Sequence, residues 1–211
     1  MRQLLLASCC LLGLIATPAL AADLSPFVPE SGPSVPVDGQ CACPANAGNE
    51  GEPACFDGYN DNFNGGCNST PVIYGNAVCS PICGNAGVYT TNGAGLRDTD
   101  WYRITVGAGN FVVSAVGDGF AVQCATLNTV CPPGLLGNVS AGSCAPATPP
   151  AVVGPTTFVI FVSRDNALNP VGVPACGAKY TLSISGPGIP SCGSTPVDPS
   201  TWGQIKSAYE L

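Results

Sequence analysis

The 211-residue sequence predicts an all-β protein, a jelly-roll-like antiparallel β-sandwich with long disulfide-linked loops and a short C-terminal helix. Three observations carry that expectation. Short runs rich in valine, phenylalanine and tyrosine alternate between apolar and polar positions, the period of a half-buried strand. Turn formers separate those runs, with glycine occurring 27 times and proline 21 times. Cysteine occurs 13 times, enough to crosslink loops that bury little surface of their own. Charged residues make up 9% of the chain, against about 25% in ordinary globular proteins. That composition excludes a coiled coil and a helical bundle.

Residues 1–21 read as a secretory signal peptide. Arg2 supplies the charged start, 4–16 the apolar stretch, and Ala19-Leu20-Ala21 the small residues for cleavage. Residues 22–40 form a linker in which Pro26, Pro29, Pro33 and Pro36 favour extended polyproline II. The sandwich domain is expected over 41–189 and a tail over 190–211.

Within the domain, residues 100–106 alternate so that Tyr102, Ile104 and Val106 share one face. A strand over 110–116 follows, and Asp118 and Gly119 signal a turn before another at 120–124. Residues 156–163 are apolar on both faces and predict a central strand covered on both sides. Residues 179–185 alternate again, with Tyr180, Leu182 and Ile184 facing inward, and 72–74, 88–91 and 152–153 are weaker strand candidates. In the tail, Trp202, Ile205 and Tyr209 recur at helical spacing, with Ser200 or Thr201 as the N-cap.

Cys9 and Cys10 leave with the leader, so the exported chain keeps eleven cysteines: Cys41, Cys43, Cys55, Cys67, Cys79, Cys83, Cys124, Cys131, Cys144, Cys176 and Cys192. In an oxidising compartment these are expected to form up to five disulfides with one thiol left over, and spacing does not assign the pairs. Paired C-x-x-C knuckles and histidines are absent, so a zinc site is not expected. The odd cysteine offers a route to crosslinking two chains.

Histidine is missing altogether, which excludes Ser-His-Asp and Cys-His catalysis and histidine-ligated metals. The net charge of −7 becomes −8 once Arg2 is removed with the leader, so neither nucleic acid nor an anionic membrane surface is an expected partner. Asn60, Asn62, Asn64 and Gly65 share the spacing that opens an EF-hand calcium loop, but Pro71 stands where the closing glutamate belongs. That loop is read instead as a tight asparagine- and glycine-rich turn. Glu50 and Glu52 before the body, with Asp98 and Asp100 before the first strong strand, leave two readings open. They are separate solvated charges, some paired with Arg97 or Arg103, or they converge on a calcium ion.

The Asp98-x-Asp100-Trp101-Tyr102 strand opening, the acidic entry from Glu50 to Pro53 and the closing strand from Cys176 to Ile184 resemble the bacterial pre-peptidase C-terminal domain family. These are small β-sandwich modules attached to secreted peptidases and other exported proteins. The Asn64-Gly65-Gly66-Cys67-Asn68 stretch is similar to one in a cysteine-rich variant of exported bacterial proteins. The resemblance spans 43–185. It implies an accessory module in adhesion, substrate targeting or secretion, with calcium bound by Glu50, Glu52, Asp98 and Asp100. No peptidase domain accompanies it, and the cysteine-bearing loop 127–150 departs from the family pattern. The tail resembles short W-G-x-I-K-x-x-Y endings of exported bacterial proteins, so Trp202, Ile205 and Tyr209 are candidate docking residues, or else pack against the sandwich.

The expectation is therefore a secreted or cell-surface, non-catalytic module that binds a surface polymer (carbohydrate or protein) or a partner protein. Trp101 or Tyr102 is the candidate for ligand stacking, since adjacent strand residues point to opposite faces. One alternative is a structural envelope or matrix subunit assembled through its tail or unpaired cysteine. The other is a small hydrolase using the four carboxylates.

Overall fold

The computed structural model describes residues 41–192. The expected signal peptide and linker, and the helix and docking residues expected beyond Cys192, lie outside that described range. Ten strands occur there: β1 (Gly48–Asn49), β2 (Gly75–Asn76), β3 (Ile82–Ala86), β4 (Val88–Thr91) and β5 (Ala94–Arg97), then β6 (Thr99–Gly117), β7 (Val122–Leu127), β8 (Leu135–Ala141), β9 (Val152–Arg164) and β10 (Ala178–Ser185). No helix is present among the described residues.

The main strands run in the order β1-β3-β10-β6-β9-β7-β8, with β2 beside β6 and β4-β5 as a separate hairpin. The sandwich arises because β6 is long enough to serve both layers. Its first half, from Thr99 to Val106, pairs with β9, and its last residues, Val112 to Gly117, pair with β10. The register shift between Val106 and Gly109 falls where glycine permits a bulge. Residues 100–106 and 110–116, read from the sequence as two strands, are thus one continuous strand bent between layers. The sheet is antiparallel except where β1 meets β3 and β2 meets β6, both in parallel.

Between the layers lie Tyr102, Ile104 and Val106 of β6, Phe158, Ile160 and Val162 of β9, and Tyr180, Leu182 and Ile184 of β10. These are the faces that strand alternation assigned. The opposite face of β9 packs Val159 and Phe161 against Trp101, Ala125 and Leu127 in a second cluster. That strand is buried on both sides, as its uninterrupted apolar run requires. The loop 127–150 carries a strand that sequence reasoning missed, β8, at the edge of the sheet.

Five disulfides crosslink the body: Cys41–Cys144, Cys43–Cys83, Cys55–Cys176, Cys67–Cys131 and Cys79–Cys192. The last one carries the covalent frame past residue 189, into the segment read as tail. Each bridge contributes about 2–4 kcal/mol, mainly by restricting the unfolded ensemble. Cys124 is the free cysteine among the described residues. It does not form a disulfide and offers no route to a second chain, because its side chain is fully buried in the core. Burial pushes its thiol up to about 12, so it stays protonated and unreactive.

Native mature protein treated with iodoacetamide should accordingly remain unlabelled. Denaturation without reductant should expose one reactive thiol, mapped to Cys124 by peptide mass spectrometry. Labelling of several cysteines in the unreduced chain would contradict the pairing above.

Candidate metal centre

The acidic residues reach one place because three separate segments are fixed against each other. Glu50 and Glu52 come off β1, whose pairing with β3 continues as the Glu50 N–H donates to the Cys83 carbonyl at 3.1 Å. Between them Gly51 turns the chain at a φ of +86°, and both carboxylates reach Asp100. Asp98 and Asp100 sit at the start of β6, in phase with Tyr102 and Ile104, and so face the core side of the strand. The 57–66 loop supplies Asp61 and Asn64. It is stitched to β6 by the Trp101 N–H donating to the Asn64 carbonyl at 2.9 Å. Gly66 permits this approach: its φ is +54°, and a Cβ there would lie 2.2 Å from Cγ of Trp101.

Carboxylate oxygens of Glu50, Glu52 and Asp100 lie within 4.8 Å of one another, and so do those of Glu52, Asp61 and Asp98. Glu52 belongs to both groups. Asp98 and Asp100 are 1% and 0% exposed and Glu52 is 4% exposed. Among the described residues no arginine or lysine answers them: Arg97 donates to Gln123 Oε1 and the Arg164 carbonyl, each at 3.1 Å, and rests on the Phe161 ring.

Neutral donors hold part of the set. Tyr102 and Tyr180 donate their hydroxyls to Glu50 Oε2 at 2.6 and 3.1 Å and lie 2.5 Å from each other, and the Asn85 N–H donates to Glu50 Oε1. Gly84 makes room for this pair, since a Cβ there would fall 2.1 Å from Cζ of Tyr180. Tyr59 donates to Glu52 Oε1 at 2.6 Å, and Asn64 Nδ2 donates to Asp100 Oδ1 at 2.8 Å. The remainder is unsatisfied. Glu52 Oε2, Asp61 Oδ2, Asn64 Oδ1, both oxygens of Asp98 and Asp100 Oδ2 are buried without a hydrogen-bond partner.

Unpaired buried carboxylates are costly to ionise, and here they also repel one another. Burial, reinforced by the Glu52 charge, pushes Glu50 up to about 7. Burial, with Glu52, Asp61 and Glu50 nearby, pushes Asp98 up to about 8. Burial likewise raises Glu52 and Asp61 and holds Asp100 well above the carboxylate range. Six unsatisfied oxygens on five side chains, with Glu50 beside them and no histidine or thiolate in the set, form a donor group suited to a hard divalent cation.

All four carboxylates singled out from the sequence meet here, and the reading of them as dispersed, arginine-paired charges does not hold. Asp61 and Asn64 were missed, because their loop was weighed only against the EF-hand pattern. Its density of short oxygen-bearing side chains was the available signal. Trp101 and Tyr102 correct the stacking expectation, since at 6% and 2% exposure both are packed inside, on opposite faces of β6.

No family model matches the chain, and no curated protein does. Among solved structures the chain is similar to the pre-peptidase C-terminal domain of a collagenase from Bacillus anthracis, at 14% identity and a TM-score of 0.35, over 51% of this chain and 90% of that one. The likeness is loose.

These shifts dictate how the cation-free protein responds to pH. A carboxyl whose folded pKa is raised stabilises the fold below its unfolded value, near 4, and that stability is lost as pH climbs through the folded value. In chelator, Tm should therefore fall between pH 5 and pH 9, with the steepest loss around 7 to 8, where Glu50 and Asp98 ionise. Calorimetry in EGTA across that range checks it; a flat or rising Tm would show that the carboxyls are not buried as described.

Proposed function

We propose that the chain is an exported, non-catalytic β-sandwich module whose entry segment and 57–66 loop are clamped to the sandwich by calcium, and that it binds a surface polymer or partner protein. One observation carries the calcium reading: buried oxygens from three segments converge with no hydrogen atom or cationic side chain to satisfy them. Glu50, Glu52, Asp61, Asp98 and Asp100 would hold the ion, with Asn64 Oδ1 as the uncharged donor. When bound, calcium would supply the positive charge that lets these carboxylates ionise where they stand. The chain's own part is orientation. Tyr59, Tyr102 and Tyr180 fix the two glutamates, and the Asn64 amide fixes Asp100.

Export is supported by the five disulfides, which belong to an oxidising compartment, and by the signal-peptide pattern of the first 21 residues. The non-catalytic reading is supported by packing. A carboxylate pair that hydrolyses a glycoside flanks the scissile bond in a site open to substrate, whereas Asp98 and Asp100 are sealed from solvent. Two cavities border the cluster. One of about 280 Å³ touches it through Glu50, and one of about 500 Å³ through Asp61, so neither presents two of the carboxylates to a substrate.

Calcium should raise Tm relative to EGTA at pH 8. At a hundredfold excess over Kd the stabilisation is about 2.7 kcal/mol, or about 5–10 °C for a domain of this size. Asp98→Asn and Asp100→Asn should each abolish most of that shift while raising Tm in EGTA, because an amide carries no buried charge. An unchanged wild-type Tm with calcium or chelator would defeat the reading, as would variants that keep the full shift.

A further inference from the structure

The larger of the two cavities has features the calcium clamp does not use. It lies between the β4-β5 hairpin and the 57–68 loop, and its volume of about 500 Å³ falls in the range of ligand sites, about 300–1,000 Å³. Tyr59 and Tyr89 pack edge to face in its wall, centroids 5.6 Å apart and planes at 90°. Tyr89 is 8% exposed, yet its hydroxyl makes no hydrogen bond among the described residues. The hydroxyl is not among the buried oxygens left unsatisfied, so it opens to solvent and is free to bond a ligand. Here the space beside it is the cleft itself.

The remaining lining says what kind of partner fits. Exposed Asn60 and half-buried Thr91 line the cleft, and Leu96, 42% exposed, supplies an apolar patch. The Asn60 amide N–H donates to Asn62 Oδ1 at 3.3 Å and the Thr91 hydroxyl to the Tyr59 carbonyl at 3.4 Å, which leaves their oxygens as acceptors. Arg97 also lines the cleft, but its Nη1 is spent on Gln123 and the Arg164 carbonyl, so it is a wall rather than an anion hook. Asp61 contributes no free carboxylate either. Its Oδ1 accepts the N–H groups of Phe63 and Asn64 at 3.1 and 3.2 Å, and its Oδ2 is out of solvent. An anionic polymer would meet a chain of net charge −7 and a cluster of acids behind the cleft floor. Hydroxyl, amide and phenol groups beside an apolar face suit a ligand with many hydroxyls and apolar C–H faces, and no charge.

We propose that the cleft between the β4-β5 hairpin and the 57–68 loop binds a segment of neutral saccharide, hydrogen-bonded by Tyr89, Thr91 and Asn60 and resting a ring face on Leu96. This rests on the reading of the chain as an exported binding module, and it gives that module's ligand class and place. It does not require the cation to touch the ligand.

The experiment is isothermal titration of the oxidised, calcium-loaded mature chain with cellohexaose, xylohexaose, maltohexaose and chitohexaose, with polygalacturonate and a lysine-rich peptide as charged comparisons. At least one neutral oligosaccharide should bind with Kd below about 1 mM. Tyr89→Phe should weaken it about tenfold, the loss of one hydrogen bond. Asn60→Trp, which fills the cleft from an exposed position, should abolish it. Both variants should keep the calcium-dependent rise in Tm. The proposal is overturned if no neutral oligosaccharide binds, if both variants bind like the parent, or if a charged comparison binds more tightly. Saccharide binding that survives in a protein with no calcium shift would instead overturn the cation reading and leave the cleft assignment standing.

Discussion

The structure turns on the burial of carboxylates at the seam where the entry segment, the 57–66 loop and the start of β6 meet. β1 is two residues long and β2 another two, so ladder hydrogen bonds alone give the entry segment and the loop little purchase on the sandwich. The acids supply what the ladders lack, but with one condition. Ionised and unpaired they push the three segments apart; protonated, or with a cation among them, they draw the segments together. Glu50 extends this condition into the core, because Tyr102 and Tyr180, which both reach it, are themselves fully packed between the layers. A change in the charge of Glu50 is therefore felt by β6, which runs through both layers, and by its neighbour β10.

Covalent constraints concentrate on the same segments. Cys41, Cys43 and Cys55 all lie in the entry segment, and they bind it to the loop after β8, to β3 and to the loop before β10. Cys67 binds the end of the acidic loop to the β7-β8 connection, and Tyr74 packs beside that bridge, 3.7 Å from Cys67 Sγ and 3.5 Å from Cys131 Sγ. The β6-β9-β7 centre carries no bridge at all. Its stability comes from burial of large side chains such as Phe111, Phe158 and Ile160, each contributing about 1.5–3 kcal/mol. Sulfur is thus placed where apolar area is scarce and is absent where it is plentiful.

This division explains what could be read from the sequence. Strands that pack a face on the core carry period-two alternation, so Tyr102, Ile104 and Val106, and likewise Tyr180, Leu182 and Ile184, were legible residue by residue. β8 was not, because an edge strand over loop residues has no strong face: Leu135 and Leu136 are both largely exposed. The β4-β5 hairpin had a signal that was passed over, Asn92 and Gly93, which adopt φ of +51° and +78° at its tip. Four of the cluster's carboxylates were visible as types, but their convergence is a tertiary fact that spacing does not encode. Asn64 was invisible for a further reason. Its role depends on one amide group being split, with Nδ2 committed to Asp100 and Oδ1 left over.

The two kinds of constraint act on different states, and that shapes how the seam opens. A disulfide limits the unfolded ensemble whatever the charge of the acids, whereas the carboxylates act on the folded state alone. Cys43 and Cys55 flank Glu50 and Glu52, so their bridges keep the glutamates close to Asp98 and Asp100 even after the seam has been pushed apart. On the proposed reading, loss of the cation then releases a tethered flap rather than unfolding the domain, since the β6-β9-β7 core makes none of the contacts involved beyond the first residues of β6. Rebinding is correspondingly a closure over a short loop, for which the entropic cost is small. On that same reading the core keeps its fold while the entry segment and the adjoining cleft wall follow the local calcium and proton concentrations.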